Sequence, residues 1–279
     1  MPPVLALVLG VAAVSGAAIL IKLSALNPLT LASWRLGLAA LALLLVRRRL
    51  RIDRWAALAG IFLGLHFATW IASLRYTTVA SSVVLVTTNP IFVALGAAFW
   101  LKERVTPRLW LGILLSVLGG LVIALSDHGG QATNPLLGDL LALAGAIAGS
   151  AYLLVGRSVR QRSEFWNYVS AVYTVAALTL VALSLALGAP LRGPFPPREW
   201  GLILSLAVVP QLIGHTLLNY ALRRVSAALV AVSILGEPVG ACLLAWLILD
   251  EGVGWSQAVG GACVLAGVLL AGSARSESK

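Results

Sequence analysis

Apolar runs of about 20 residues recur from one end of this chain to the other, and a helix of that length spans a hydrocarbon core of roughly 30 Å. The runs lie between charges, prolines and glycine clusters at 4–22, 28–46, 55–74, 79–101, 109–126, 136–156, 167–188, 200–221, 226–249 and 254–272. Only 11% of the 279 residues are charged, whereas a soluble domain carries about 25%. Mean hydropathy is +0.97. The expected fold is an all-α membrane protein with ten transmembrane helices.

Net charge is +10, which in a soluble domain would point to nucleic acid. Here the basic residues sit in short runs between apolar segments, with no aromatic-rich module to hold a base, so topology explains the charge and no nucleic-acid partner is expected. With the N-terminus on one side, that side holds fifteen: Arg47, Arg48, Arg49, Arg51, Arg54, Lys102, Arg104, Arg108, Arg157, Arg160, Arg162, Arg223, Arg224, Arg275 and Lys279. The other side holds four, namely Lys22, Arg75, Arg192 and Arg198, and Arg35 falls inside a run. Lys and Arg concentrate in cytoplasmic loops, so both termini are expected in the cytoplasm of a cell whose inner (plasma) membrane holds the protein. Trp55, Trp100, Trp110, Trp166, Trp200 and Trp255 fall near run ends, where an aromatic belt belongs. No basic stretch precedes Val4, so the first run reads as a retained helix and not as a signal peptide. Cys242 and Cys263 lie inside apolar runs and read as small buried hydrophobes. No cofactor and no metal site is expected.

The chain repeats internally. LRYTTVASSVVLVTTNPIFVALGAAFWLKERV, from Leu74, aligns without a gap on LRRVSAALVAVSILGEPVGACLLAWLILDEGV, from Leu222, at an offset of 148. Pro90 then matches Pro238, Glu103 matches Glu251, Gly112 matches Gly260 and Gly119 matches Gly267. Earlier in each half, Gly10, Ser15 and Lys22 match Gly145, Ser150 and Arg157 at an offset of 135, the longer loop GAPLRGPFPPRE absorbing the difference. Each half holds five runs, an odd number, so the second copy enters the membrane from the opposite side. The charges agree: Lys102-Glu103-Arg104 is matched by Asp250-Glu251-Gly252, which lacks the basic residues. The expected organisation is a five-helix repeat over 1–126, an inverted five-helix repeat over 136–272 and a cytoplasmic tail at 273–279. Inverted repeats are a hallmark of secondary transporters, with the site near the midplane between the halves.

These features resemble the drug/metabolite transporter superfamily in its ten-helix EamA-like branch, over essentially the whole chain. The match is carried by Asn27-Pro28 followed by Arg35, the Ala-Leu-like entries of the fourth and ninth runs, Pro90 with Glu103, Pro238 with Glu251, and the glycines of the fifth and tenth runs. The resemblance implies a central cavity among runs 1–4 and 6–9, with runs 5 and 10 peripheral. It also implies movement of metabolites, amino acids (aromatic ones included) among them. Relatives that carry sugar phosphates would offer several intramembrane cations, and this chain offers only Arg35.

Ionisable groups at membrane depth cost roughly 2.5–3.5 kcal/mol at a helix centre, so each needs a reason. Of ten Asp and Glu, only Glu237 sits near the middle of a run. It either takes part in transport, binding an ammonium group or carrying a proton, or is a structural glutamate, protonated or paired with Arg. Its repeat-mate Asn89 is uncharged. Pro90 and Pro238 each remove a backbone hydrogen bond at mid-run, which gives a kink, carbonyls lining a cavity, or both. Pro210 is a third candidate of this kind. His66 and His215 take nearly equivalent places in runs 3 and 8, one residue out of phase, and either pack or bind substrate and relay protons. Trp34, Trp70, Tyr76, Tyr152 and Tyr173 are candidate aromatic walls, suited to an aromatic or cationic solute. Arg35 lies about 10 Å inside the outer end of its run; it snorkels, gates the external mouth or pairs with a substrate carboxylate. If Arg35 and Glu237 both face a cavity they suit a zwitterion. Gly112, Ser116 and Gly119, with Gly260 and Gly267, put small residues on one side of runs 5 and 10 for close helix approach, within one chain or between two.

The function expected is alternating-access transport of a small organic metabolite, most specifically export of amino acids or related compounds, with proton coupling through Glu237 as an option and the oligomeric state open. The alternatives are a multidrug or cationic-compound exporter, a channel, a scramblase, or an intramembrane serine hydrolase using Ser150 with His66 or His215. The chain has no GxxxxGK[ST] loop to serve an ATP-driven pump.

Overall fold

The computed structural model describes residues 1–47, 50–77, 79–125, 133–160, 164–249 and 254–273. Arg48, Arg49, Arg162, Asp250, Glu251, Gly252, Arg275 and Lys279, which enter the charge and repeat arguments, lie outside the described residues. So does most of the 273–279 tail.

The described residues form helices and no strand. In chain order these are α1 (Pro3–Val14), α2 (Ala17–Leu23), α3 (Pro28–Arg47), α4 (Arg54–Ser73), α5 (Val79–Val86), α6 (Asn89–Phe99) and α7 (Pro107–Leu125). There follow α8 (Pro135–Arg160), α9 (Phe165–Ala186), α10 (Pro197–Leu206), a π-helical segment (Ala207–His215), α11 (Thr216–Leu222), α12 (Ala227–Ile234), α13 (Gly236–Leu249) and α14 (Trp255–Ser273). Among the described residues eight stretches are long and apolar enough to cross a membrane, and Asn89–Phe99 and Pro107–Ile123 are shorter apolar helices. This is a multipass membrane protein.

Every expected run is occupied by helix, but four are not single regular helices. The first breaks at Ser15-Gly16, where the Ser15 hydroxyl donates to the Val11 carbonyl at 2.8 Å. The fourth breaks at Thr87-Thr88, with the Thr88 hydroxyl donating to Leu85 at 2.6 Å, and the ninth breaks at Leu235. A hydroxyl bonded back onto its own helix competes with the regular ladder and bends it. Pro90 and Pro238 then fall in the first turn of a restarted helix, α6 and α13. The expected mid-run kink is thus a restart, because an opening turn has no intrahelical use for the missing N–H. In the eighth run Pro210 lies inside the π-helical segment, whose wider turn re-aims the residues that follow.

The helices pack as α4 against α8 and α9, α3 against α9, α1 against the π segment and α11, α6 against α12, and α7 against α14. The last pair approaches through glycine. A Cβ on Gly112 would lie 2.7 Å from the Gly267 carbonyl oxygen, and one on Gly119 would lie 2.5 Å from that of Gly260. Between them the Ser116 hydroxyl donates to the Val264 carbonyl at 3.2 Å. Close approach therefore occurs within one chain, which answers what the sequence left open.

Connections sort to two ends. At one end the Met1 amine donates to the Tyr220 hydroxyl, and the Arg224 guanidinium to the Met1 carbonyl. There too Arg51 and Asn167 exchange two hydrogen bonds, and Phe165 meets Tyr220 edge to face. At the other end buried Glu199 accepts from the Ser24 hydroxyl and the Ala25 N–H, Arg75 donates to the Leu26 carbonyl, and Thr77 donates to Asp139.

Candidate functional site

Arg35, on α3, is only 1% exposed. Its Nε donates to Gln211 Oε1 at 3.0 Å, and its guanidinium carbon stands 4.3 Å from the centroid of the Phe67 ring. The π segment presents Gln211; α4 presents Phe67. No carboxylate among the described residues pairs with Arg35, although it lies within electrostatic reach of Glu237.

Phe67 gathers the histidines. His66 lies 5.1 Å from it and His215 5.4 Å, ring centroid to ring centroid. The Nδ1–H of His66 donates to the Gly145 carbonyl at 2.8 Å, since a carbonyl can only accept, so its Nε2 is the ring nitrogen left over. Trp70 stacks on His66, interplanar angle 14° and centroids 6.0 Å apart. The two histidines are not equivalents: at the repeat offset His66 corresponds to Gly214, which lies against the Gly10 carbonyl much as His66 meets that of Gly145. His215, one residue on and at the end of the π segment, turns to Phe67 instead.

Around this cluster the polar groups are tied down. The Tyr173 hydroxyl bonds the Gln211 carbonyl and the Thr216 hydroxyl, each at 3.1 Å, and Asn219 bridges Tyr152 and the His215 carbonyl. Asn89 donates to the Ala146 carbonyl and to Ser150, which in turn donates to Asn89 and Ala146 carbonyls. Ser150 is therefore a lock between α6 and α8, with no histidine among the described residues bonded to it. Glu237 opens α13 beside Pro238, in the first turn, where a negative charge suits the helix dipole. It is half-buried and has no hydrogen bond or ion pair with a described residue. By the offset of 135 its counterpart contact would be with Ser15, but that hydroxyl bonds Val11.

The structure thus brings together Arg35, His66, Trp70, His215, Tyr152 and Tyr173, with Glu237 in electrostatic reach. Asn89 and Pro90 lie at the α6–α8 contact. Trp34 and Tyr76 lie elsewhere: Trp34 donates to the Leu191 carbonyl and packs on Trp200, and Tyr76 is 37% exposed at the end opposite Met1. Phe67, Gln211 and Asn219 escaped sequence reasoning, which looked for ionisable groups and prolines. Gln211 carried a signal, being a polar amide immediately after Pro210 in an apolar run.

An all-helical multipass chain enclosing a buried polar cluster, with charge in its midst and most polar groups fixed, is the build of a membrane carrier. Comparison with known proteins places it: residues 1–125 and 136–273 match the EamA-like transporter family, and the chain belongs to that family. It is 25% identical over 215 residues to an uncharacterized transporter of Archaeoglobus fulgidus, covering 77% of this chain and 73% of that one. It is 24% identical to the uncharacterized transporter YyaM of Bacillus subtilis, covering 88% and 84%. The pseudopaline exporter CntI of Pseudomonas aeruginosa is 28% identical, covering 76% and 70%. A solved crystal structure superposes with a TM-score of 0.81 at 23% identity, covering 99% of each chain, a likeness of fold.

Proposed function

We propose that this transporter exports a small zwitterionic metabolite, an amino acid or close relative, across the inner membrane by alternating access. Ten crossings form two inverted units, 1–126 and 136–272, with the termini and the 273–279 tail in the cytoplasm. The observation that carries the reading is the pair of opposite charges left apart. Arg35 is buried without an ion pair, and Glu237 lies within electrostatic reach of it with no bonded partner among the described residues. A buried cation with no close anion is costly, and a ligand carrying both a carboxylate and an ammonium group relieves both ends. His66, Trp70 and Phe67 supply an aromatic wall.

Support for the inverted units comes from the α7–α14 contact. Gly112 meets Gly267 and Gly119 meets Gly260, while the repeat pairs Gly112 with Gly260 and Gly119 with Gly267. Exchanging each residue for its mate turns one contact into the other, as a twofold axis in the membrane plane requires. The exporter name of the Pseudomonas relative supports the direction. A multidrug or purely cationic cargo is disfavoured by Arg35, which repels it.

The test is counterflow of radiolabelled L-phenylalanine in proteoliposomes, with competition by other amino acids, amines and cationic drugs. Saturable exchange that Arg35→Ala abolishes and Glu237→Gln weakens is expected; wild-type exchange in both variants would overturn the reading.

A further inference from the structure

We propose that Arg35 and Gln211 together form a carboxylate subsite that takes the anionic end of a small monocarboxylate. This deepens the functional reading above and rests on the cluster being the cargo site.

The argument is the direction of the hydrogen-bond deficit. Among the described residues, Arg35 Nη1, Gln211 Nε2 and Trp70 Nε1 are buried with no hydrogen-bond partner. All three are nitrogen donors. The orientation of Gln211 is fixed by chemistry: guanidinium has only protons to give, so the amide oxygen must face Arg35 Nε, and the NH₂ is left turned away. A buried donor without an acceptor is costly, and here two sit on residues bonded to each other. The hydroxyls of Ser170 and Thr174, also unpartnered, can rotate to serve as donor or acceptor. What Arg35, Gln211 and Trp70 lack is acceptor oxygen.

Charge selects the class of acceptor. Arg35 is the one cation of the cluster, its hydrogen-bonded neighbour is neutral, and Glu237 opposes further negative charge. One cation with neutral donors matches a single carboxylate, whose two oxygens accept from a guanidinium and an amide together. A dianionic phosphate would find too little positive charge. Phe67 holds the guanidinium by its ring face at 4.3 Å and leaves the donor edges for the ligand. The π segment contributes by setting Gln211 opposite α3.

The experiment is competition in the same counterflow assay, full-length protein in proteoliposomes, using L-phenylalanine, hydrocinnamate, L-phenylalanine amide and phenethylamine. In wild type the two carboxylates compete at least about tenfold better than the amide and amine. Gln211→Glu, which turns the free donor into an acceptor paired with Arg35, weakens both carboxylates by about tenfold and changes the amide by less than about twofold. Gln211→Leu, which removes the donor without adding charge, shifts the same two ligands the same way. Equal competition by acid and amide in wild type overturns the subsite while leaving the carrier reading intact. Equal weakening of all four ligands in both variants does the same. If no member of the panel exchanges in wild type, the cargo-site reading falls and takes the subsite with it. The wild-type acid-to-amide ratio decides the matter even where a variant does not insert.

Discussion

Glu103 and Arg157 close one end of the bundle: Oε1 of the first stands 2.7 Å from Nε of the second. Nη1 of the same arginine donates to the carbonyls of Leu222 and Arg223, at 3.1 and 3.2 Å. One side chain thereby ties the ends of α6, α8 and α11 on the side of Met1. Helix ends leave carbonyls without partners, so the C-terminal turn of α11 suits a cation, and Glu103 holds that cation in place.

Any cycle that opens this end must part the pair. Glu103→Ala is expected to destabilise by roughly 1–3 kcal/mol, since it leaves a partly buried guanidinium without its anion, and to speed labelling of a cysteine placed at Gly156. Arg157→Glu with Glu103→Arg should recover part of the stability lost in either single change, read from thermal unfolding in detergent. Unchanged labelling and stability in Glu103→Ala would remove the pair from the gate.

The α7–α14 contact makes a sharper packing prediction. Gly119→Ala forces a methyl toward the Gly260 carbonyl and the α14 backbone, and overpacking of this kind costs about 1–3 kcal/mol. Gly272→Ala, in α14 itself, meets nothing within 4 Å and should be neutral or slightly stabilising. The comparison is read from unfolding temperature and from the yield of monodisperse protein. Equal behaviour of the two variants would mean that these helices do not meet through their glycines.

Much of the architecture was legible because it is written in punctuation: Pro90 with Pro238, the paired glycines and the alternating basic loops. Facing was not. A helix apolar all round has no moment to reveal which side turns inward, so nothing in the α4 run marked Phe67 as the residue on which Arg35, His66 and His215 converge. His66 and His215, one residue out of phase at the repeat offset, both pack on Phe67, but from different helices and in different ways. The π segment rotates the residues after Pro210, and a rotation about a helix axis leaves no trace in hydropathy. Arg35 and Glu237 stood out because charge is rare at depth. Trp34 and Tyr76 did not belong with them because aromatic residues are common at membrane ends as well.

Phe67 is 1% exposed, and its ring is the aromatic face on which the Arg35 guanidinium stacks. Phe67→Leu keeps much of the volume and loses the face. The swap removes some buried volume but far less than a change to alanine, which costs about 3–5 kcal/mol, so the protein should fold. Transport should fall more than stability does, with KM for L-phenylalanine raised several-fold, because the guanidinium is no longer oriented. Phe67→Tyr, which keeps the face, is the comparison; equal loss of transport in both would assign the effect to packing.

Glu237 separates carriage of cargo from coupling to protons. Its repeat-mate Asn89 cannot titrate and is bonded to Ala146 and Ser150, so a proton carried here is carried by one half alone. The other groups in electrostatic reach are Arg35 and, through it, His66, His215 and Tyr173. Glu237→Gln preserves shape and removes the exchangeable proton. If Glu237 couples, this variant loses transport driven by a pH gradient across proteoliposomes, and any residual counterflow becomes flat with pH, where wild type varies. His66→Gln and His215→Gln, measured alongside, should keep the wild-type profile. Should the profile survive in Glu237→Gln and vanish in a histidine variant, the proton moves through the rings gathered on Phe67 and the carboxylate serves the cargo alone.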